Sequence, residues 1–318
     1  MKVCIVGATG VVGRILLDIL KESNFKSNEI ELFASKKSLG TQIWFKDKYL
    51  TVKNEIAEFG QKNDVAILCV DKEVSKQMTP ILLNKGMYVI DCSTAYRMDK
   101  EVPLIAVSVN DEKIKNHRLI SNPNCVVMQV IIPLMMIQKK YKINMINLVS
   151  FQSVSGSGKR GIDDLDNNTA LFYPYKIKET CIPIVGEIQE NNYTSEEEKI
   201  RNEIRKILDN YELKINASCV RVPVKRCHAI SLSLELDKEV SAKQIQELIS
   251  KNKMCKYLDI PNVIEAKDND LIYFGRVRND LDNPKIIHMY IVGDNLRRGA
   301  ASNAFWILKE LCEKNKML

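Results

Sequence analysis

The stretch "KVCIVGATGVVGRILLDILKES", Lys2 to Ser23, decides the reading of the fold. Lys2 to Val6 is a short apolar run of the kind a buried strand shows, and Val12 to Ser23 places apolar residues at helical spacing. Between them Gly7, Gly10 and Gly13 form a GxxGxxG loop. Glycines there let the backbone approach a pyrophosphate, whose charge the following helix N-terminus faces. A tight turn without a ligand is the other reading, and the strand-to-helix setting argues against it. Gly7, Thr9, Gly10, Val11, Val12 and Gly13 are therefore the first cofactor-binding candidates.

The pattern continues outward. "IELFAS", "DVAILCV" and "MYVID" are further short apolar strands, with the helix-like "KEVSKQMTPILLNKG" between the last two. Strands separated by helices imply a parallel, doubly wound sheet, an α/β domain of the Rossmann type. At the end of the second strand an acidic residue would bind the ribose 2′-hydroxyl of NAD. The chain instead has Ser35, Lys36, Lys37 and Ser38. Hydroxyls and cations suit a 2′-phosphate, so NADP(H) is favoured over NAD, the alternative being loop lysines that simply face solvent.

Beyond the helical stretch "NCVVMQVIIPLMMIQKKY" the rhythm changes. "NMINLVSFQSV" is a long strand candidate, and "HAISLSLEL" alternates Ile230, Leu232, Leu234 and Leu236 with Ser231, Ser233 and Glu235. That alternation marks an antiparallel sheet with one covered face. Helices are expected at Ser195 to Asn210 and Ser241 to Lys251. A last strand, "KIIHMYIVG", leads into the amphipathic "DNLRRGAASNAFWILKELCEK". The expected organisation is a nucleotide-binding domain over residues 1–127, an α+β domain with a mainly antiparallel sheet over 128–295, and a C-terminal helix, 296–318, packing back on the first domain. A chain of 318 residues fits two such domains, since single cores stop growing at about 250 to 300 residues.

Bulk composition excludes several classes. With 45% hydrophobic and 27% charged residues the chain is neither disordered nor a membrane protein, and no window approaches the roughly 20 apolar residues of a spanning helix. The N-terminus is too short in apolar residues for a secretion signal. The net charge of +7 comes from lysines spread along the chain, which reads as a solvated surface and not as a nucleic-acid stripe. Nine cysteines without CxxC pairs or His-spaced clusters fit reduced thiols in the cytoplasm, with no metal site.

One thiol stands apart. In "LISNPNCVVMQV", Pro123 biases Asn122 away from the helical region and Asn124 is a good N-cap, so Cys125 begins a helix. Positive potential at a helix N-terminus favours the thiolate and makes it a nucleophile near neutral pH. The alternative is a buried filler, the reading given to Cys4, Cys69 and Cys92 in or beside apolar strands. A thiolate acting on a carbonyl needs an acid or base. His117 lies in a polar loop, His288 alternates within a strand, and His228 opens a strand; spacing alone leaves the choice open.

These features together resemble the aspartate-semialdehyde dehydrogenase family over nearly the whole chain. The matching pieces are "GATGVVG", "FASKKSLG", "DCSTAYRM", "SNPNC", "FQSVSGSGKRGI", "YTSEEEKIRNEIRKIL", "CVRVPV" with a following His, "GRVRNDL" and "IHMYIVGDNLRRGAA". The resemblance implies that Cys125 attacks the carbonyl of aspartyl-4-phosphate to form a thioester, which NADPH reduces to L-aspartate 4-semialdehyde with release of inorganic phosphate. It implies His228 as the acid/base catalyst and Gln152 as the residue orienting the acyl group. Arg221 would bind the α-carboxylate and Glu196 the α-amino group, while Lys199, Arg97 and Asn124 hold the phosphate. Ser155 and Gly156, in the loop running to Gly158, would lie by the nicotinamide, and Asn295 would bond its amide. A homodimer, with a homotetramer as the alternative, and a place in lysine, diaminopimelate, methionine and threonine biosynthesis also follow from the resemblance. One departure is the run Lys225, Arg226, Cys227 before His228, where small or apolar residues are common. The competing readings are N-acetyl-glutamyl-phosphate reductase, against which Asn124 argues, malonyl-CoA reductase, and a catalytically silent nucleotide-binding homologue.

Overall fold

A computed structural model of the chain describes residues 1–54 and 60–315. It divides into two compact units, one built from Met1–Pro123 together with the chain from Ala300 onward, the other from Asn124–Gly299.

The first unit contains β1 (Val3–Val6), α1 (Val11–Glu22), β2 (Ile30–Phe33), β3 (Gln42–Phe45), β4 (Lys48–Lys53), β5 (Val65–Leu68), α2 (Lys72–Asn84), β6 (Tyr88–Asp91) and β7 (Leu119–Ser121). Their order in the sheet is β3-β4-β2-β1-β5-β6-β7. Every pairing is parallel except that of β3 with β4. All four residues of β1 and of β5 are buried, which is why these strands read as unbroken apolar runs: a parallel sheet is covered on both faces. The β3–β4 hairpin was not expected. Its strands alternate, with Ile43, Phe45, Leu50 and Val52 buried and Trp44 and Tyr49 outside, where their rings meet edge to face at 5.0 Å.

The second unit contains α3 (Cys125–Gln138), β8 (Ile143–Gln152), α4 (Gly158–Asn167), α5 (Ser195–Leu208), β9 (Lys214–Arg221), β10 (His228–Leu236), α6 (Ala242–Ser250), β11 (Cys255–Tyr257), α7 (Val263–Ala266), β12 (Ile272–Asn279) and β13 (Ile286–Gly293). The sheet runs β11-β12-β13-β10-β8-β9. β10 is antiparallel to both β8 and β13, and β12 is antiparallel to β13, while the two edge pairings are parallel. The alternation of β10 holds: Ile230, Leu232, Leu234 and Leu236 are buried and Ser231 is exposed. α3 is apolar on every side and almost wholly buried, because it packs on α5, α6 and the sheet at once. For that reason the division falls before Asn124, and not after residue 127, so that Cys125 and its cap stay with the second unit.

The last helix, α8 (Ser302–Lys314), follows a π-turn at Arg297–Ala301 and belongs to the first unit. Ala304, Ile307, Leu308 and Leu311 join Leu16, Leu17 and Leu20 of α1 in one core on one face of the sheet. α2 covers the other face through Met78 and Leu82. This is the doubly wound arrangement, and among the described residues no helix is long and apolar enough to cross a membrane.

Asn303 does more than fill this core. Its side chain donates to Ile105 O at 2.8 Å and to Asn122 Oδ1 at 2.7 Å, and accepts from Val107 N–H at 3.0 Å. Asn303, Ile105 and Asn122 are buried and Val107 is half-buried, so Asn303→Ala would strand several polar groups at about 1 to 3 kcal/mol each. The expected outcome is a clear drop in the urea midpoint of unfolding; an unchanged midpoint would show that Asn122 and its neighbours find other partners.

Candidate active site

Strand register brings the second unit's functional side chains to one end of its sheet. β8 and β9 are parallel with Gln152 beside Arg221, β10 pairs Ala229 with Phe151, and His228 stands opposite Gly293 at the end of β13. Gln152, Arg221 and His228 therefore come from three neighbouring strands, and all three are buried.

The thiol comes from the helix above this edge. Asn124 caps α3, its Oδ1 accepting from Val126 N–H at 2.8 Å and Val127 N–H at 3.4 Å. Cys125, the first helical residue, places Sγ 3.3 Å from His228 Nε2. The helix N-terminus carries about half a positive elementary charge, which favours a thiolate there. Close approach depends on a glycine: a Cβ on Gly299 would lie 2.9 Å from Cys125 Cβ. Several other cysteines are set apart by burial. Burial pushes the thiols of Cys4, Cys219, Cys227 and Cys255 up to about 12, which leaves them protonated and inert.

His228 is held on its far side by Ser153, whose backbone N–H donates to Nδ1 at 3.0 Å. Burial first, and then the Arg221 guanidinium, push its pKa down to about 3, so the ring is neutral at physiological pH. His288 is satisfied elsewhere, by Ser233 Oγ at 2.7 Å and Asp280 Oδ2 at 2.8 Å. His117 is half-buried in the first unit.

α5 completes the cluster. Its cap is a capping box: Thr194 Oγ1 accepts from Glu197 N–H, and the Glu197 carboxylate accepts from Thr194 N–H. The face behind that cap carries Glu196, Lys199 and Glu203. Glu196 accepts from Asn124 Nδ2 at 2.8 Å, from Lys199 Nζ at 3.1 Å and from Gln152 Nε2 at 3.4 Å. Glu203, which the sequence reading missed, accepts from the Asn124 backbone N–H at 2.6 Å and is wholly buried. Its spacing was the available signal, since residues at i, i+3 and i+7 share a helical face. Arg221 Nη1 donates to Ser153 O at 2.6 Å and lies over Gly156, where a Cβ would be 2.9 Å away. Ser155 and Asn295 are buried and joined, Asn295 Nδ2 donating to Ser155 Oγ at 3.0 Å. The unusual run before His228 has its own anchor: Arg226 grips Asp294 through Nε at 3.0 Å and Nη2 at 2.8 Å.

Two groups of candidate residues belong to the first unit. Arg97 is buried there and donates from Nη2 to Cys92 O at 3.1 Å. The glycine loop is the other. Gly7 has φ of +84°, and a Cβ on it would lie 2.2 Å from Cys69 O; on Gly13 it would lie 2.3 Å from Gly7 O. Only glycine fits either place. The first turn of α1, through Val11 and Val12, has no acidic residue and no side-chain cap, so its N–H groups are open to an anion. Thr9 Oγ1 and Ser38 Oγ meet at 3.1 Å, joining this loop to the short turn Lys36–Ser38, whose lysines are exposed as is Ser35. These residues fit a dinucleotide with its pyrophosphate on the loop and a 2′-phosphate at the lysines. No cluster of His, Cys, Asp or Glu able to hold a metal ion occurs among the described residues.

Residues 2–117 match the family model "Semialdehyde dehydrogenase, NAD binding domain", and residues 134–298 match "Semialdehyde dehydrogenase, dimerisation domain". The chain is 36% identical to the aspartate-semialdehyde dehydrogenase of Aquifex aeolicus, with 98% of each chain covered. It is 32% identical to that of Bacillus subtilis, over 99% of this chain and 98% of the relative. The crystal structure of aspartate semialdehyde dehydrogenase II from Vibrio cholerae, complexed with ASA, superposes with a TM-score of 0.93 at 34% identity and 98% coverage of both chains. The chain belongs to the aspartate-semialdehyde dehydrogenase family.

Proposed function

We propose that this protein is an NADP-dependent aspartate-semialdehyde dehydrogenase, which reduces L-aspartyl-4-phosphate to L-aspartate 4-semialdehyde and releases phosphate. The observation that carries the reading is the Cys125 thiol at a capped helix start, 3.3 Å from His228 Nε2. In this mechanism the Cys125 thiolate adds to the acyl phosphate carbonyl and phosphate departs, leaving a thioester on sulfur. NADPH, when bound, supplies the hydride that takes the thioester to the aldehyde level. Gln152 orients the acyl group and His228 serves the carbonyl oxygen as acid/base partner. Asn124, Lys199 and Arg97 bind the phosphate that leaves.

The choice of substrate follows from charge. Arg221 is a two-pronged donor suited to an α-carboxylate, and Glu196 is an anion suited to an α-ammonium. An N-acetylated amino acid, or malonyl-CoA, has no ammonium for Glu196 to meet, so the pair favours aspartyl phosphate over both alternatives. Thr9, Ser35, Lys37 and Ser38 hold the 2′-phosphate side of the cofactor, the loop from Gly7 to Gly13 its pyrophosphate, and Ser155, Gly156 and Asn295 line the nicotinamide side. A homodimer formed through the second unit, with a tetramer as the larger alternative, a cytoplasmic location and a role in lysine, diaminopimelate, methionine and threonine biosynthesis complete the proposal.

Two assays test it. Phosphate-dependent NADP reduction with aspartate semialdehyde is expected for the intact protein, and Cys125→Ser should lower it by about three orders of magnitude or more, since a hydroxyl is a far weaker nucleophile. No turnover by the intact protein, or full turnover by the variant, refutes the thioester route. Replacing both Lys36 and Lys37 by Ala should reduce the preference for NADP over NAD by about tenfold or more, the loss expected for charge-assisted contacts to a phosphate. An unaltered preference would mean that the 2′-phosphate is bound elsewhere.

A further inference from the structure

The ladder between β10 and β13 stops at His228 opposite Gly293, yet the two segments stay joined beyond it. Side chains take over from backbone pairing. The Arg226 guanidinium lies side-on to Asp294, Nε donating to Oδ1 at 3.0 Å and Nη2 standing 2.8 Å from Oδ2. On the next residue, Cys227 N–H donates to Asn295 Oδ1 at 2.9 Å. Two consecutive residues of one segment thus hold two consecutive residues of the other.

Asp294 is wholly buried, so its bonding matters more than that of a surface carboxylate. Its Oδ1 also accepts from Leu296 N–H and Arg297 N–H at 3.0 Å each, and its Oδ2 from Asp268 N–H at 2.9 Å. Backbone donors bring dipoles, whereas Arg226 brings a full positive charge. Its Nη1 reaches outward to the exposed Asp268 carboxylate at 2.6 Å, so the guanidinium is held on two sides. A planar fork can span both oxygens of one carboxylate and still reach a second, which the point charge of a lysine cannot do.

The turn that carries Arg226 holds another segment on its other flank. Val154 N–H donates to Val224 O at 2.9 Å and Ser155 N–H to Lys225 O at 3.1 Å. Ser153 Oγ and Ser155 Oγ each donate to Asn295 Oδ1 at 3.3 Å, which joins the two flanks. Cys227 closes the turn with a left-handed φ of +74°, a strained backbone for a residue with a Cβ, which persists where its surroundings hold it. The turn Val224 to Cys227 is therefore a bracket between the loop of Ser155 and Gly156 and the segment of Asn295.

The geometry points to Arg226 as a positioning residue: its clasp on Asp294 sets Asn295, and with it the loop of Ser155 and Gly156, for the nicotinamide end of NADP. The inference rests on the proposed assignment of those three residues to the nicotinamide side. Arg226 itself touches neither cofactor nor substrate in this scheme. Its influence is confined to one end of the cofactor, because the Gly7–Gly13 loop and the Lys36–Ser38 turn belong to the first unit.

The test is equilibrium titration of the full chain with two ligands, NADP and adenosine 2′,5′-bisphosphate, which keeps the 2′-phosphate and lacks the nicotinamide. The wild type should bind both. Arg226→Met keeps the apolar stem and removes the fork; it should weaken NADP by about fivefold or more and leave the bisphosphate within about twofold, the loss expected when a hydrogen bond at the nicotinamide is misplaced. Arg226→Lys separates placing from charge. It returns a cation to Asp294, so its urea midpoint should lie closer to the wild type than that of Arg226→Met, while the weakening of NADP persists. Unchanged NADP affinity in both variants, equal loss of both ligands, or full recovery of NADP affinity by lysine overturns the inference. If Arg226→Met does not fold, the lysine variant decides by the same readings. A wild type that binds the bisphosphate and NADP equally well, or neither, refutes the nicotinamide assignment instead, and the inference falls with it.

Discussion

Asn124 is the residue on which the site is built. One carboxamide and one backbone N–H tie α3 to α5: Oδ1 closes the first turn of α3, while Nδ2 reaches Glu196 and the backbone N–H reaches Glu203, both on α5. Without the cap the helix start would fray, and without the two carboxylates the donors of Asn124 would be buried with nothing to bond. Because the thiol is the next residue, the same bonds that end the helix properly also set where the sulfur lies. Glu196 and Glu203 are themselves stabilised by those donors, which is what allows two acidic side chains so close to a thiolate site.

The sheet supplies the second constraint. A shift of one residue in the pairing of β8 with β10 would turn Gln152 and His228 to opposite faces, so the apolar alternation that buries Ile230, Leu232 and Leu234 also aims the site. Arg221 then follows from the parallel pairing of β9 with β8. Burial of Gln152, Arg221 and His228 at one sheet end is tolerated because each of the three has a partner. The same dryness keeps His228 neutral, with its pKa pushed down to about 3.

The chain disclosed much of this in advance, for reasons that differ by element. β1, α1 and the glycine loop were legible because burial on both faces and a phosphate-sized turn leave strong local patterns. α3 was legible through its cap, Asn124. The β3–β4 hairpin was not, because its turn at Lys46 and Asp47 lacks the glycine or Asn-Gly pair that usually marks one. α4 was missed as well; it opens on Gly158 and is mostly polar. Glu203 sat within a charged run that reads as a solvated face until α3 is seen packed on α5.

Local sequence by itself determined that a thiol begins a capped helix, that a glycine loop follows a buried strand, and that lysines replace the acidic residue at the end of the second strand. It determined these because caps, turns and alternation are interactions between residues a few positions apart. What it left to the tertiary structure was the company that the thiol keeps. Cys125 and His228 are separated by 103 residues, and only the pairing of β10 with its neighbours and the packing of α3 bring their side chains within 3.3 Å. The surroundings of His228 were decided there too, since Ser153, Ser155, Cys227 and Asn295 meet only once three strand ends share one edge.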